Sequence, residues 1–99
     1  MKKFAVLHAI KGTFSLSKQA VDALNYTYGW KKSAEHFMTK HLRHDPRLIQ
    51  MFEEKGSLWM SGNGAEISVS VIEADGYKIE SDKVGEYVVP CVADFIIVQ

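Results

Sequence analysis

The segment "KKSAEHFMTKHLRHDPR", residues 31–47, gathers Lys31, Lys32, Lys40, Arg43 and Arg47 with His36, His41 and His44, just after the rings of Tyr26, Tyr28 and Trp30. Guanidinium forks match phosphate oxygens and aromatic faces take a flat base, so this composition predicts an anionic ligand that carries a base. Single-stranded nucleic acid would use the same residue types. The plainer alternative is a basic face that meets only water. A second stretch, "IKGTFSLSKQA" at 10–20, sets Gly12, Thr13, Ser15, Ser17 and Lys18 where an apolar run gives way to an amphipathic one. The N-terminus of a helix presents unpaired N–H groups and the positive end of its dipole, which can hold a phosphate. The GxxxxGK[ST] spacing of a Walker loop is absent, and a serine cap beside solvated lysines accounts for the same residues. The expected ligand-binding set is therefore Thr13, Ser15, Ser17 and Lys18 on phosphate, Arg43 and Arg47 clamping it, and Tyr26, Tyr28 or Trp30 stacking.

Catalysis and metal binding find less support. His41 and His44 could share a helix face, but His36 would point elsewhere, and neither HExxH nor CxxC occurs, so no metal and no cofactor is expected. A general base at His41 or His44, cleaving a phosphodiester, is the one enzymatic reading that the residues allow, and the chain is read as a non-enzyme. Cys91 follows Pro90 in an apolar strand, where a buried inert thiol is the expectation. Glu53 and Glu54 are adjacent on a helix and do not converge on one substrate. Trp59 and Met60 in "SLWMSG" suit either the core or a protein contact.

These residues must be positioned by a small set of elements. "KFAVLHAI" at 3–10 reads as a strand ended by Gly12, and Leu16–Tyr28 as a helix with Ser15 or Ser17 capping it and Gly29 closing it. Residues 33–43 fit helix or strand. "HDPRLIQMFEEKG" is the best-marked helix, with Asp45 as N-cap, Pro46 first, Gly56 just past the end, and Leu48, Ile49, Met51 and Phe52 as its buried stripe. "AEISVSVIEA" alternates Ile67, Val69 and Val71 with polar residues as a half-buried strand does, and Asp75-Gly76 predicts a hairpin into "YKIES". "GEYVVPCV" and "DFIIVQ" add strands, with Pro90 marking an edge or a bulge. The expectation is an α+β fold, a single domain over 1–99, with a mainly antiparallel sheet of four to five strands and two to three helices.

Composition bounds the partners. Ninety-nine residues with 46% apolar and 24% charged composition suit one modest core rather than a disordered chain. No apolar run approaches the roughly 20 residues that span a bilayer, and the basic start lacks a cleavage site, so neither membrane nor secretion is expected. One cysteine excludes an internal disulfide and fits a reducing cytoplasm. Net charge is zero, yet residues 1–47 hold nine Lys/Arg against three acids and residues 48–99 hold three against nine. Either the molecule is polarised, able to attract anions at one end and basic partners at the other, or the halves interleave in the fold.

"GTFSLSKQAVDAL" (12–24), "RHDPRLIQMFEEKG" (43–56), "GAEISVSVIEADGYKIES" (64–81) and "GEYVV" (85–89) follow in order a pattern that resembles a family of small proteins common in tailed-phage genomes. The similarity covers about half of the chain. Phe14 follows Gly12-Thr13 where that family usually has paired glycines, and 25–42 has no counterpart. The resemblance implies a phage accessory protein, and such proteins commonly act on host machinery or host defence by binding. Joined to the residues above, it leads to the expectation of a protein that counters host defence in the host cytoplasm by sequestering an anionic nucleotide signal, its pocket built across a homo-oligomer. The alternative is an inhibitor that covers a host defence or nucleic-acid enzyme with one charged face.

Overall fold

The structure is a computed structural model describing residues 2–33, 35–38, 42–62, 64–91 and 96–97. Strand β1 (Lys2–Lys11) pairs antiparallel with β2 (Glu66–Ala74), matching Phe4 to Ile72, Val6 to Ser70, Leu7 to Val69 and Ala9 to Ile67. Because side chains alternate across a strand, Leu7, Ala9, Ile67 and Val69 line one face, and Phe4, Val6 and Ile72 the other. Each face has its own core. Phe14, Leu16, Ala20, Leu24, Phe37, Leu48 and Met60 pack on the first, and Tyr77, Ile79 and Val88 on the second. A strand buried on both faces has no polar side, which explains the near-continuous apolar run at 3–10.

The helices lie on the first face. Helix α1 (Lys18–Tyr28) starts at Ser17, whose Oγ accepts the Ala20 N–H at 3.1 Å, and closes at Gly29 in the left-handed region (φ 67°). Helix α2 (Pro46–Lys55) starts at Asp45, whose carboxylate accepts the Arg47 N–H at 2.9 Å. Of its expected stripe Leu48 is fully buried, while Ile49, Met51 and Phe52 are half-buried. A third short helix, α3 (Ser57–Met60), was not anticipated. It follows α2 directly, buries Met60, half-buries Trp59 and leaves Leu58 at 95% exposure. Its end is held to the chain entering α1, where the Ser17 N–H donates to the Met60 carbonyl and the Gly62 N–H to that of Ser15. In the ambiguous stretch, His36–Met38 forms a 3₁₀ turn.

The second face is covered by β3 (Gly76–Ser81), β4 (Glu86–Cys91) and β5 (Ile96–Ile97) in the order β4-β3-β5, all antiparallel. The fold is α+β, as expected, but the strands form two sheets rather than one. The anticipated Asp75-Gly76 hairpin does not exist, for β2 takes β1 as partner and β3 takes β4. A type I′ turn needs φ above zero at both central residues, and Gly76 is not among the positive-φ glycines. Asp75 is only a bend carrying the chain from one sheet into the next. Hairpin chemistry lies instead at 82–85, where Asp82 Oδ1 accepts the N–H groups of Val84 and Gly85. Pro90 sits on β4, an edge strand, where its missing N–H is tolerated.

Candidate functional site

Arg43 illustrates how far a basic segment can depart from a solvated face. Its guanidinium is 2% exposed and forms a two-pronged ion pair with Glu86, Nη1 to Oε1 at 2.7 Å and Nη2 to Oε2 at 3.3 Å, over the Phe14 ring at 3.6 Å. Its carbonyl accepts the Leu7 N–H, and Glu86 Oε1 also accepts the Ala9 N–H, so the pair closes the edge of β1 that β2 does not use. Gly85 allows this approach: a Cβ there would lie 2.5 Å from the Ile10 carbonyl carbon. Arg43 is thus a structural clamp and is withdrawn from the ligand set. It also joins the basic half of the chain to the acidic half, so the two halves interleave here.

The remaining candidates separate into three places. Ser17, the α1 cap, also donates to the Trp59 carbonyl at 2.8 Å, while Lys18 pairs with Asp22 beside a shallow hollow. Ser15 is buried. Thr13 lines a different depression of about 330 Å³ with the 82–85 turn, where Asp82 and Glu86 bring carboxylates and the Gly85 and Val84 N–H groups hold Asp82 below the usual carboxylate range. Lys83 also lines it, so an ammonium and carboxylates are mixed there.

The third place keeps Tyr28, Trp30 and Arg47 together. The Arg47 guanidinium lies 4.2 Å from the centre of the Trp30 ring and 5.6 Å from that of Tyr28, and the two rings are 5.1 Å apart. Lys32 Nζ approaches Trp30 to 4.3 Å, and Lys55 Nζ approaches Trp59 to 5.4 Å. Between α1 and α2 a groove of about 290 Å³ is lined by Tyr28, Arg47, Gln50, Glu54 and Lys55 among others. Asp45 orients Arg47 through Nε at 3.0 Å and Nη2 at 2.8 Å; that bond lowers the carboxyl's pKa and raises the guanidinium's. The Nη1 hydrogens have no partner among the described residues. Since Ser17 sits at one end of α1 and Tyr28 at the other, roughly 16 Å apart at 1.5 Å per residue, the cradle joining Ser17 to Arg47 does not assemble. Tyr26, at 92% exposure, stands on the outer face of α1.

His44 is anchored through Nδ1 to the Tyr77 hydroxyl at 2.7 Å, edge-on to a ring whose burial pushes the phenol pKa up. His36 lies edge-on to Phe37. His41 and the side chain of Cys91 lie outside the described residues. Among the described residues no three His, Cys, Asp or Glu side chains converge as metal ligands, and no helix is long and apolar enough to cross a membrane. Sequence reasoning passed over Glu86 as Arg43's partner, and over Gln50 and Lys55 in the groove, since α2 was read only for its apolar stripe. A lysine one turn after Met51 on a well-capped helix was the available signal for Lys55. Searched against family models, curated proteins and solved structures, the chain matches none.

Proposed function

We propose that the protein is a non-enzymatic binder of an anionic nucleotide, with phosphate held by Arg47 and Lys55 in the groove between α1 and α2 and the base against Tyr28. The observation that carries this reading is the Arg47 guanidinium, fixed by Asp45 and backed by Trp30 at 4.2 Å while still 44% exposed at the groove. A cation oriented in advance loses little freedom on binding, and an aromatic ring behind it adds attraction without competing for its donors. Arg47 and Lys32 lie closer to Trp30, at 4.2 and 4.3 Å, than Arg47 does to Tyr28, at 5.6 Å, and Tyr28 is the ring that lines the groove, so the base is assigned to Tyr28. At about 290 Å³ the groove falls at the lower end of the ~300–1,000 Å³ of small-molecule sites, which favours one nucleotide unit per chain and a homo-oligomer for anything larger. In the setting that the phage resemblance suggests, the activity would be sequestration of a host defence signal in the host cytoplasm.

Thermal-shift and calorimetric screening against linear and cyclic nucleotides tests this. Stabilisation by at least one of them, weakened by salt and lost in Arg47→Ala, is expected; no stabilisation at millimolar ligand would overturn it. A second reading, a protein inhibitor of a host enzyme, is favoured by the fully presented Leu58 and Tyr26. It predicts a host protein retained at low salt and released at high salt.

A further inference from the structure

The outer edge of β2 carries an inference that is independent of the anion groove and deepens only the proposal of self-association. The Leu7 and Ala9 N–H groups of β1 point away from β2, to the Arg43 carbonyl and the Glu86 carboxylate. The even-numbered residues of β1 therefore make the ladder, with Ser68, Ser70 and Ile72 opposite them. It follows that Ile67, Val69, Val71 and Glu73 turn their backbone groups outward. Ile67 is closed off by α3, with Ser61 Oγ accepting its N–H and Ser57 Oγ donating to its carbonyl. Val69, Val71 and Glu73 have no such partner among the described residues, and Asp75 then bends the chain away.

We infer that this window is the interface with a second copy of the chain, joined by antiparallel pairing of β2 with β2 about a two-fold axis at Val71. The window itself selects that occupant. It runs from Val69 to Glu73, so its midpoint is Val71, and a two-fold there pairs Val71 with Val71 and Val69 with Glu73, each pair exchanging both of its hydrogen bonds. Any register that reaches Ile67 meets α3. Val71 is 61% exposed on the helix-side face beyond the reach of the helices, although its neighbours Ile67 and Val69 on that face are covered or half-covered. Of the devices that blunt natural edges the window holds only the charge of Glu73, at its end: it has no lysine and no proline, and the register shift of this sheet falls at Ala9–Lys11, outside it. Pairing turns a two-stranded sheet, marginal by itself, into a continuous four-stranded one.

Sedimentation across a concentration series tests this, together with amide exchange on the wild-type protein. Twice the 11.2 kDa chain mass is expected for the wild type, the single-chain mass for Val71→Lys, and a Val71 N–H whose protection rises with concentration. A wild type that stays monomeric overturns both the interface and self-association. A folded Val71→Lys that remains dimeric overturns the interface alone. Should that variant fail to fold, the wild-type exchange decides: a Val71 N–H as fast as a solvated amide at all concentrations refutes the pairing.

Discussion

Replacing Arg43 by Met keeps the length of the side chain over Phe14 and removes its charge. Glu86, whose side chain is only 13% exposed, then retains the Ala9 N–H but loses both guanidinium contacts, at 2.7 and 3.3 Å. Removing one member of a buried ion pair costs about 3–5 kcal/mol, because the other charge remains desolvated. Against a total stability of about 5–15 kcal/mol that is a large fraction. At roughly 5 °C per kcal/mol for a domain of this size, Tm should fall by about 15–25 °C. Glu86→Gln should cost a similar amount by removing the charge that balances the buried guanidinium. The double variant, which buries neither charge, should be less destabilised than the sum of the two by about 2 kcal/mol or more. Urea unfolding of the four proteins measures this. Single-variant losses below about 1 kcal/mol with additive effects, the behaviour of a surface pair, would refute the clamp.

The other predictions concern α2 and the tight turns. Asp45→Ala removes the α2 cap and should cost about 1 kcal/mol in urea unfolding, whereas Asp45→Asn, an equally good cap, should cost less at neutral pH. Because its bond to Arg47 lowers the Asp45 pKa, the stability that this carboxylate contributes is present above about pH 4 and lost as the pH falls through its folded value. The acid limb of wild-type stability should therefore be steeper than that of Asp45→Asn, and identical limbs would contradict the assignment. Gly85→Ala places a methyl 2.5 Å from the Ile10 carbonyl carbon, so β4 must withdraw from β1, at about 1–3 kcal/mol by thermal denaturation. An unchanged Tm would show that the two segments approach less closely than described.

Local signals were the legible ones. Ser17, Gly29, Asp45-Pro46 and Gly56 mark helix ends because capping depends on residues within one turn, and the structure ends its helices there. What failed was partnership. Asp75-Gly76 permits a hairpin, but β1 had already taken β2, a choice made by residues more than fifty positions away. Val71 belongs to a clean alternation and is nevertheless exposed, since periodicity shows which face a side chain takes and not how far the covering helices extend. In the site, Tyr28, Trp30 and Arg47 converge as residue types suggested, while Arg43, in the same basic run, turns inward to an acid forty-three positions on. Nothing in the run distinguishes the two arginines, because burial is decided by what packs on them.

The groove between α1 and α2 is tested most directly by following backbone and indole resonances of ¹⁵N-labelled protein during titration with a nucleoside triphosphate, with inorganic pyrophosphate as the base-free control. The largest shifts should fall on Tyr28, the Trp30 indole, Arg47, Gln50 and Lys55, with pyrophosphate reproducing those at Arg47 and Lys55 but not those at Tyr28. Shifts centred instead on Ser17 and Lys18 or on the 82–85 turn, or none at saturating ligand, would contradict the assignment of this groove as the anion site.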